Sequence, residues 1–177
     1  MSYFNSLSFR QQFTSLAFLS GILSLITEFE GGFMLLIILG AGLIYGLITL
    51  KVILAKYPKR NTKYIWLKFC TISYLIAFFI SAQDSSGEFS KLENHSLFIG
   101  GLIGALILTV GFKMVIKQNN ETIPLFNIIL ILLVGGLIPS AIYNLILNND
   151  YYAMVLIYTI WPIVISFMLA SSIKKTV

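Results

Sequence analysis

The residues of this chain that could do chemistry stand beside two prolines within long apolar segments. Pro139 cannot donate a hydrogen bond to the carbonyl of Gly135, and Pro162 cannot donate one to the carbonyl of Tyr158. Each proline therefore predicts a kink or an unwound turn. Because loosened backbone offers polar groups where charged side chains are absent, two such interruptions near the middle of a membrane are a recurrent way to build a binding site.

Hydroxyl, amide and aromatic side chains accompany the two prolines. The sequence offers nine residues as a candidate ligand-binding site: Thr71, Tyr74, Gly135, Pro139, Ser140, Tyr143, Asn144, Tyr158 and Trp161. Such a set favours a small solute that is largely uncharged or compatible with aromatic surfaces. The alternative is purely structural, because proline and glycine are common in membrane helices and a buried asparagine or tyrosine often bonds only a neighbour.

The chain lacks the groups that catalysis, metal binding or energy coupling would need. No Asp, Glu or His lies in the middle of an apolar segment, whereas coupled proton transport and intramembrane hydrolysis both use ionisable groups there. The acids that precede His95 do not have the spacing of metal ligands, and no G-x-x-x-x-G-K-[ST] loop is present. We therefore expect no enzyme activity, no metal and no cofactor, and any energy for transport would come from a partner.

The elements that must position the candidate site are apolar helices. With 58% hydrophobic and 11% charged residues, the 177-residue chain departs strongly from the composition of a soluble domain. Six segments are apolar on all sides over about the length that crosses a bilayer, which favours helices over barrel strands. These spans are residues 13–29, 33–55, 64–82, 96–116, 123–147 and 152–173.

The sequence thus predicts an all-α membrane protein, a compact bundle of six transmembrane helices in a single domain over residues 1–177. Residues 1–12 are predicted to form an interfacial segment, because they are aromatic and amphipathic but too short to span. Thr122 is predicted as the N-cap of the fifth helix, with Pro124 in its first turn.

The charges of the chain sort by side of the predicted bundle. Every Lys and Arg except Lys91 falls at one set of helix ends, and every acid except Glu121 falls at the other. Because an excess of Lys and Arg marks the cytoplasmic face, both termini are expected to be cytoplasmic. We expect a multi-pass protein of the cell membrane, of the bacterial inner or plasma membrane type. The net charge of +5 is explained by this topology, so no nucleic-acid partner is expected.

Two features indicate partners. The basic loop from Lys56 to Lys63 is expected to hold the protein against anionic lipid of the bilayer, with a cytoplasmic partner protein as the alternative. Stripes of small residues run along four of the spans and let helix backbones approach closely. They favour packing within the chain, and the alternative is that one stripe, such as Ala17, Ser20 and Gly21 of the first span, docks a membrane partner subunit.

Two classes of function fit these observations. The first is a solute-binding or translocation subunit, related to transport and without its own energy coupling. In size and topology alone, six helices with both ends inside, the chain is similar to the substrate-binding S components of energy-coupling-factor transporters, a resemblance that implies docking of small faces on a transmembrane partner. The second is an accessory or immunity-type membrane interaction protein with no ligand pocket.

Overall fold

The structure, a computed structural model, describes residues 6–28, 34–81, 94–146 and 150–175 of the chain. This part of the protein is almost entirely helical and contains six α-helices, which coincide with the six predicted apolar segments to within a few residues at each end. They are α1 Phe9–Glu28, α2 Met34–Lys56, α3 Thr62–Ser81, α4 Asn94–Ile116, α5 Leu125–Leu145 and α6 Asp150–Ser171. Asp84, Glu88 and Glu93, which the charge pattern assigns to an outer loop, lie outside the described residues.

Helix α1 begins earlier than the sequence analysis predicts, inside the segment expected to be interfacial. Ser8 and Gln11 form a reciprocal capping box there. The backbone N–H of Ser8 donates to Oε1 of Gln11 over 2.9 Å, and the N–H of Gln11 donates to Oγ of Ser8 over 3.4 Å. These bonds satisfy amide groups that a helix start otherwise leaves unpaired, so the helix is fixed before its apolar stretch begins.

The six helices form a closed ring. Each helix packs against the next in the chain, and α6 packs against α1. Small residues set these close approaches: a Cβ at Gly100 would overlap Ser81 and Ala77 of α3, and one at Gly21 would stand 2.8 Å from Cα of Thr159 in α6. The small-residue stripes therefore serve packing within the chain, and Ala17 and Ser20 are buried in it.

Aromatic rings fill the centre of the ring of helices. Phe13 of α1 stacks on Phe112 of α4 with ring centroids 5.9 Å apart, and it also lies 5.7 Å from the ring of Trp66 of α3. Polar groups at this level bond across the bundle: Trp66 donates to Oγ1 of Thr49 over 2.9 Å. Phe13, Trp66 and Phe112 are large and fully buried, so packed rings close the half of the bundle in which they lie.

Three helical segments of the described residues are long and apolar enough to cross a membrane, judged by length and composition. They are Thr62–Ser81, Asn94–Asn119 and Leu125–Leu145, and Leu156–Ser171 is a shorter apolar stretch within α6. Large apolar side chains on the outside of the bundle, such as Leu125 and Phe126, are exposed. The described part of the protein is thus an all-α bundle with an apolar surface.

One end of the bundle, which we call the basic end, carries the loop 56–63, the 3₁₀ turn Lys117–Asn119 and a short antiparallel ladder. In this ladder, β1 Glu121–Thr122 pairs with β2 Lys174–Lys175. Thr122 is therefore a strand residue, and the prediction that it caps α5 is wrong. The helix starts at Leu125 behind Pro124, with no side-chain cap, because the left-handed Asn120 turns the preceding chain into the ladder.

Candidate functional site

Helices α3, α4, α5 and α6 surround a cavity of about 50 Å³ on the side of the aromatic centre away from the basic end. Four of the nine predicted site residues line it, namely Tyr74, Pro139, Tyr158 and Trp161. The other lining residues are Ala77, Phe78, Ser81, Leu97, Gly101 and Ile157. The cavity lies at the level of the prolines that interrupt the two apolar segments, where the sequence predicts a site.

Three aromatic side chains form the most distinctive walls of this cavity. The rings of Tyr74 and Tyr158 are parallel to within 6°, with centroids 6.5 Å apart. The ring of Trp161 stands nearly perpendicular to that of Tyr74, at 5.6 Å. No charged side chain is among the described residues that line the cavity. The arrangement therefore presents flat aromatic faces to an uncharged occupant.

Pro139 leaves the carbonyl of Gly135 without its helical donor, and the structure shows what replaces it. The indole Nε1–H of Trp161 in α6 donates to this carbonyl oxygen over 2.9 Å. Because the donor comes from the next helix, α5 has no need to unwind, and it remains α-helical from Leu125 to Leu145. The unwound turn offered as one outcome of the sequence analysis is wrong for α5.

At Pro162 it is the backbone of a neighbouring helix that covers the interrupted turn. Helix α6 is continuous from Asp150 to Ser171, so an unwound turn is wrong here as well. Gly21 of α1 lies against the carbonyl of Tyr158, to which Pro162 has no N–H to donate, and a Cβ at Gly21 would stand 3.1 Å from that oxygen. A glycine is needed at this crossing, because it lets one helix backbone cover the proline-interrupted turn of the other.

Two predicted site residues lie in a separate polar cluster near the start of α4. Ser140 donates to Oδ1 of Asn94 over 3.0 Å, and Nδ2 of Asn94 donates to Oδ1 of Asn144. Asn144 is bonded to a neighbouring helix, which is the structural alternative to ligand binding, and its side chain is exposed and not turned into the cavity. The cluster ties α5 to α4 and does not line the cavity.

The remaining predicted residues also lie outside the cavity. Thr71 donates to the carbonyl of Leu67 in its own helix over 3.0 Å, and its backbone packs against Gly42 of α2. Tyr143 is buried with Leu97 in a small cluster next to the cavity wall. Gly135 acts through its carbonyl, which holds Trp161 in place.

Some lining residues were not predicted, and one signal could have found part of them. Ser81 recurs at helical spacing with Tyr74, and the sequence offers it as an addition to the site from the third span. Ala77 and Phe78 follow Tyr74 at three and four positions, which places them on the same face of α3. Leu97 and Ile157 carry no such signal, because their helices are apolar on every side.

The basic end holds a second set of interactions. Glu121 accepts a 2.5 Å hydrogen bond from the hydroxyl of Tyr57 and forms a 3.5 Å ion pair with Lys56. Burial, followed by the bond to Glu121, raises the pKa of the Tyr57 hydroxyl well above its ordinary value. Lys59 donates to the carbonyl of Gln118. Two cations of the basic loop are therefore tied to the turn before α5.

The size of the cavity decides what it can hold as observed. Its volume of about 50 Å³ is the space open to water-sized spheres. One water needs at least about 10–15 Å³ of this space, and pockets for drug-sized ligands measure about 300–1,000 Å³. The cavity therefore admits a few waters in this conformation, and a larger occupant requires the aromatic walls to move. No described protein family, no curated protein and no solved structure matches this chain.

Proposed function

We propose that this protein is a six-span membrane protein that binds a small uncharged solute between α3, α4, α5 and α6, as a binding or translocation subunit without its own energy coupling. The observation that carries the proposal is the cavity walled by Tyr74, Tyr158 and Trp161. In a bundle otherwise held by close glycine contacts, space lined by aromatic faces and free of charge suits a flat, uncharged ring.

The observed conformation is the closed state of this site. Trp161 bridges α6 to the Gly135 carbonyl of α5, and this bond crosses the gap that a ligand would widen. Pro139 removes one helical hydrogen bond from α5 at the same level, so α5 is easiest to bend there. A ligand that displaced the indole could itself donate to the carbonyl of Gly135.

The chemistry of the lining also limits the mechanism. Because the described lining holds no carboxylate, histidine or lysine that could carry a proton at neutral pH or bind a coupling cation, the cavity supports either passive exchange of solute or movement driven by a partner. The small faces of α1 and α4 are used within the bundle, so a partner subunit would dock on the exposed apolar side chains outside.

Binding can be tested with planar uncharged probes of one ring, such as nicotinamide and benzyl alcohol, by equilibrium dialysis of the purified protein. Tyr74→Ala should weaken binding by up to about tenfold, because it removes an aromatic wall worth up to roughly 1.5 kcal/mol. Tyr64→Ala is the matched control on the same helix, since the side chain of Tyr64 is 69% exposed. Equal effects of the two substitutions, or no saturable binding by the wild type, would contradict a site in the cavity.

The proposed topology has six spans with both termini cytoplasmic. Three observations support it. The helices are 20 to 23 residues long, each helix packs against the next one in the chain, and Lys and Arg lie at one end of the bundle. In a Cys70→Ser background, a membrane-impermeant thiol reagent should label Ser86→Cys from outside the cell and Asn61→Cys only after permeabilisation. The reverse pattern of labelling would exclude this orientation.

The packed centre supports a second candidate, an accessory or immunity-type interaction protein with no ligand pocket. Phe13, Trp66 and Phe112 close the basic half of the bundle, and the cavity beyond them is small. Filling the cavity separates the two proposals. If the protein binds a solute, Ala77→Leu should abolish that binding. If it is an interaction protein, Ala77→Leu should leave its binding to the partner protein unchanged.

A further inference from the structure

A stripe of four residues at the basic end of α4 combines apolar and cationic side chains. Val110, Lys113, Met114 and Lys117 recur at helical spacing, so they share one face of the helix. All four side chains are exposed. Lys113 lies between Val110 and Met114 in the stripe, and Lys117 begins the 3₁₀ turn at the end of α4. Because a lysine side chain is long, both ammonium groups can lie at the level of lipid headgroups while Val110 and Met114 lie beside acyl chains.

This stripe forms one wall of an open groove of about 940 Å³. The other wall is the turn made by Asn120, Glu121 and Thr122. Asn120 has a left-handed backbone with φ of 55°, which bends the chain back beside α4 after the 3₁₀ turn. The groove is thus shaped by fixed backbone, and β1 is held in place by its pairing with β2.

The charge of the groove is positive despite the presence of Glu121. The carboxylate of Glu121 is engaged by Lys56 at 3.5 Å and by the hydroxyl of Tyr57 at 2.5 Å, which lie outside the groove. Its charge is therefore compensated from behind. Lys113 and Lys117 are left as the cations that face an occupant.

The apolar part of the stripe continues toward the centre of the helix. Leu106, Val110 and Met114 are 40%, 41% and 46% exposed. They lie one turn apart and form a strip on which an extended hydrocarbon chain can lie. An occupant with a long apolar chain and an anionic head matches both parts of the surface.

We propose that this groove binds one anionic phospholipid, with its phosphate on Lys113 and Lys117 and an acyl chain along Val110 and Met114. Basic pockets beside transmembrane helices on the cytoplasmic side are suited to anionic headgroups, because each lysine adds electrostatic attraction and the chain remains in hydrocarbon. The site differs from the loop 56–63, where Lys56 and Lys59 are already bonded within the protein. It depends on the membrane location of the chain and not on solute binding.

The test measures binding of short-chain phosphatidylglycerol to the purified protein in detergent by native mass spectrometry. Lys113→Gln with Lys117→Gln should weaken this binding about thirtyfold, the product of two surface charges. Lys51→Gln with Lys68→Gln removes the same charge from exposed positions on α2 and α3, outside the groove, and should change the affinity less than about threefold. Equal losses in the two double variants would overturn the proposal in favour of diffuse attraction.

Three further arms define the ligand. Phosphatidylcholine of the same chain length should bind at least about tenfold more weakly than phosphatidylglycerol, because its headgroup has no net charge. Glycerol phosphate, which has the head without the chains, should compete only at much higher concentration, and Met114→Asn should weaken the lipid but not glycerol phosphate. Equal binding of the two lipids, or glycerol phosphate competing as well as the lipid, would refute a site for an anionic phospholipid.

Discussion

Removing the indole N–H of Trp161 should destabilise the protein in a way that depends on Pro139. In Trp161→Phe an aromatic ring remains, but the carbonyl of Gly135 loses the donor that lies 2.9 Å away. Trp161 is 5% exposed and Gly135 is buried, so water has little access to the orphaned oxygen. The carbonyl cannot recover a donor from its own helix, because residue 139 has no N–H.

The expected cost has two parts. Hydrogen bonds between membrane helices contribute about 0.6 kcal/mol on average and up to about 1.7 kcal/mol, and a buried carbonyl left unpaired falls toward the upper end, so we take about 1 kcal/mol for this bond. The smaller ring leaves space beside the existing cavity, which adds about 1 kcal/mol. Trp161→Phe should therefore lower the free energy of unfolding by about 2 kcal/mol.

Pro139→Ala separates the two parts. An alanine in the continuous helix α5 supplies the missing N–H to Gly135, so Trp161→Phe should then cost only the packing part of about 1 kcal/mol. The four proteins of this cycle can be compared by equilibrium unfolding in mixed micelles of dodecyl sulfate and a mild detergent. A coupling of about 1 kcal/mol is expected, and additivity within about 0.3–0.5 kcal/mol would refute the role assigned to the indole.

Two further predictions concern helix packing and pH. Gly101→Ala should destabilise the bundle by about 2 kcal/mol, because the added Cβ would overlap the carbonyl oxygen of Gly135. Gly46→Ala should cost clearly less, because its Cβ would stand 3.1 Å from the end of the Leu67 side chain and 3.2 Å from Cβ of Cys70. Similar melting temperatures of the two variants would show that the α4–α5 contact is looser than described. The pKa of Tyr57 is raised in the folded protein, so its bond to Glu121 stabilises the fold fully below the ordinary tyrosine pKa of 10.0 and less as the pH rises above it. The free energy of unfolding should therefore fall more steeply above pH 10.0 in the wild type than in Tyr57→Phe. Parallel pH profiles of the two proteins would contradict this.

The positions of the helices could be predicted because apolar length and charged flanks are local properties of the sequence. The ladder between β1 and β2 could not, since two residues on each side carry no strand pattern. The sequence analysis placed the start of α1 too late, although the sequence carries a signal for it. That signal is the capping box of Ser8 and Gln11 just before the apolar run. Closure of the ring between α6 and α1 depends on contacts that helices with uniformly apolar faces do not specify in sequence.

The candidate site was predictable only as far as backbone interruptions reveal it. Pro139 and Pro162 located the level of the cavity, and the aromatic residues nearest to them, Tyr158 and Trp161, do line it. Ser140 and Asn144 follow Pro139 closely in sequence, but the turn of α5 carries them to Asn94 instead. Polar residue type therefore predicted that each side chain would find a partner, while the identity of the partner required the fold.

The contacts that α6 makes with α1 and α2 have a consequence for biogenesis. The hydroxyl of Tyr45 in α2 shares a 2.6 Å hydrogen bond with Ser166 of α6, which lies 121 residues later in the chain. In the proposed six-span topology, α1 to α5 enter the bilayer before α6 is made, so the hydroxyl of Tyr45 and the backbone surface at Gly21 lack their final neighbours during that interval. A nascent chain stalled before α6 would leave these two contact sites uncovered, and a membrane protease or insertase could recognise them as unfinished.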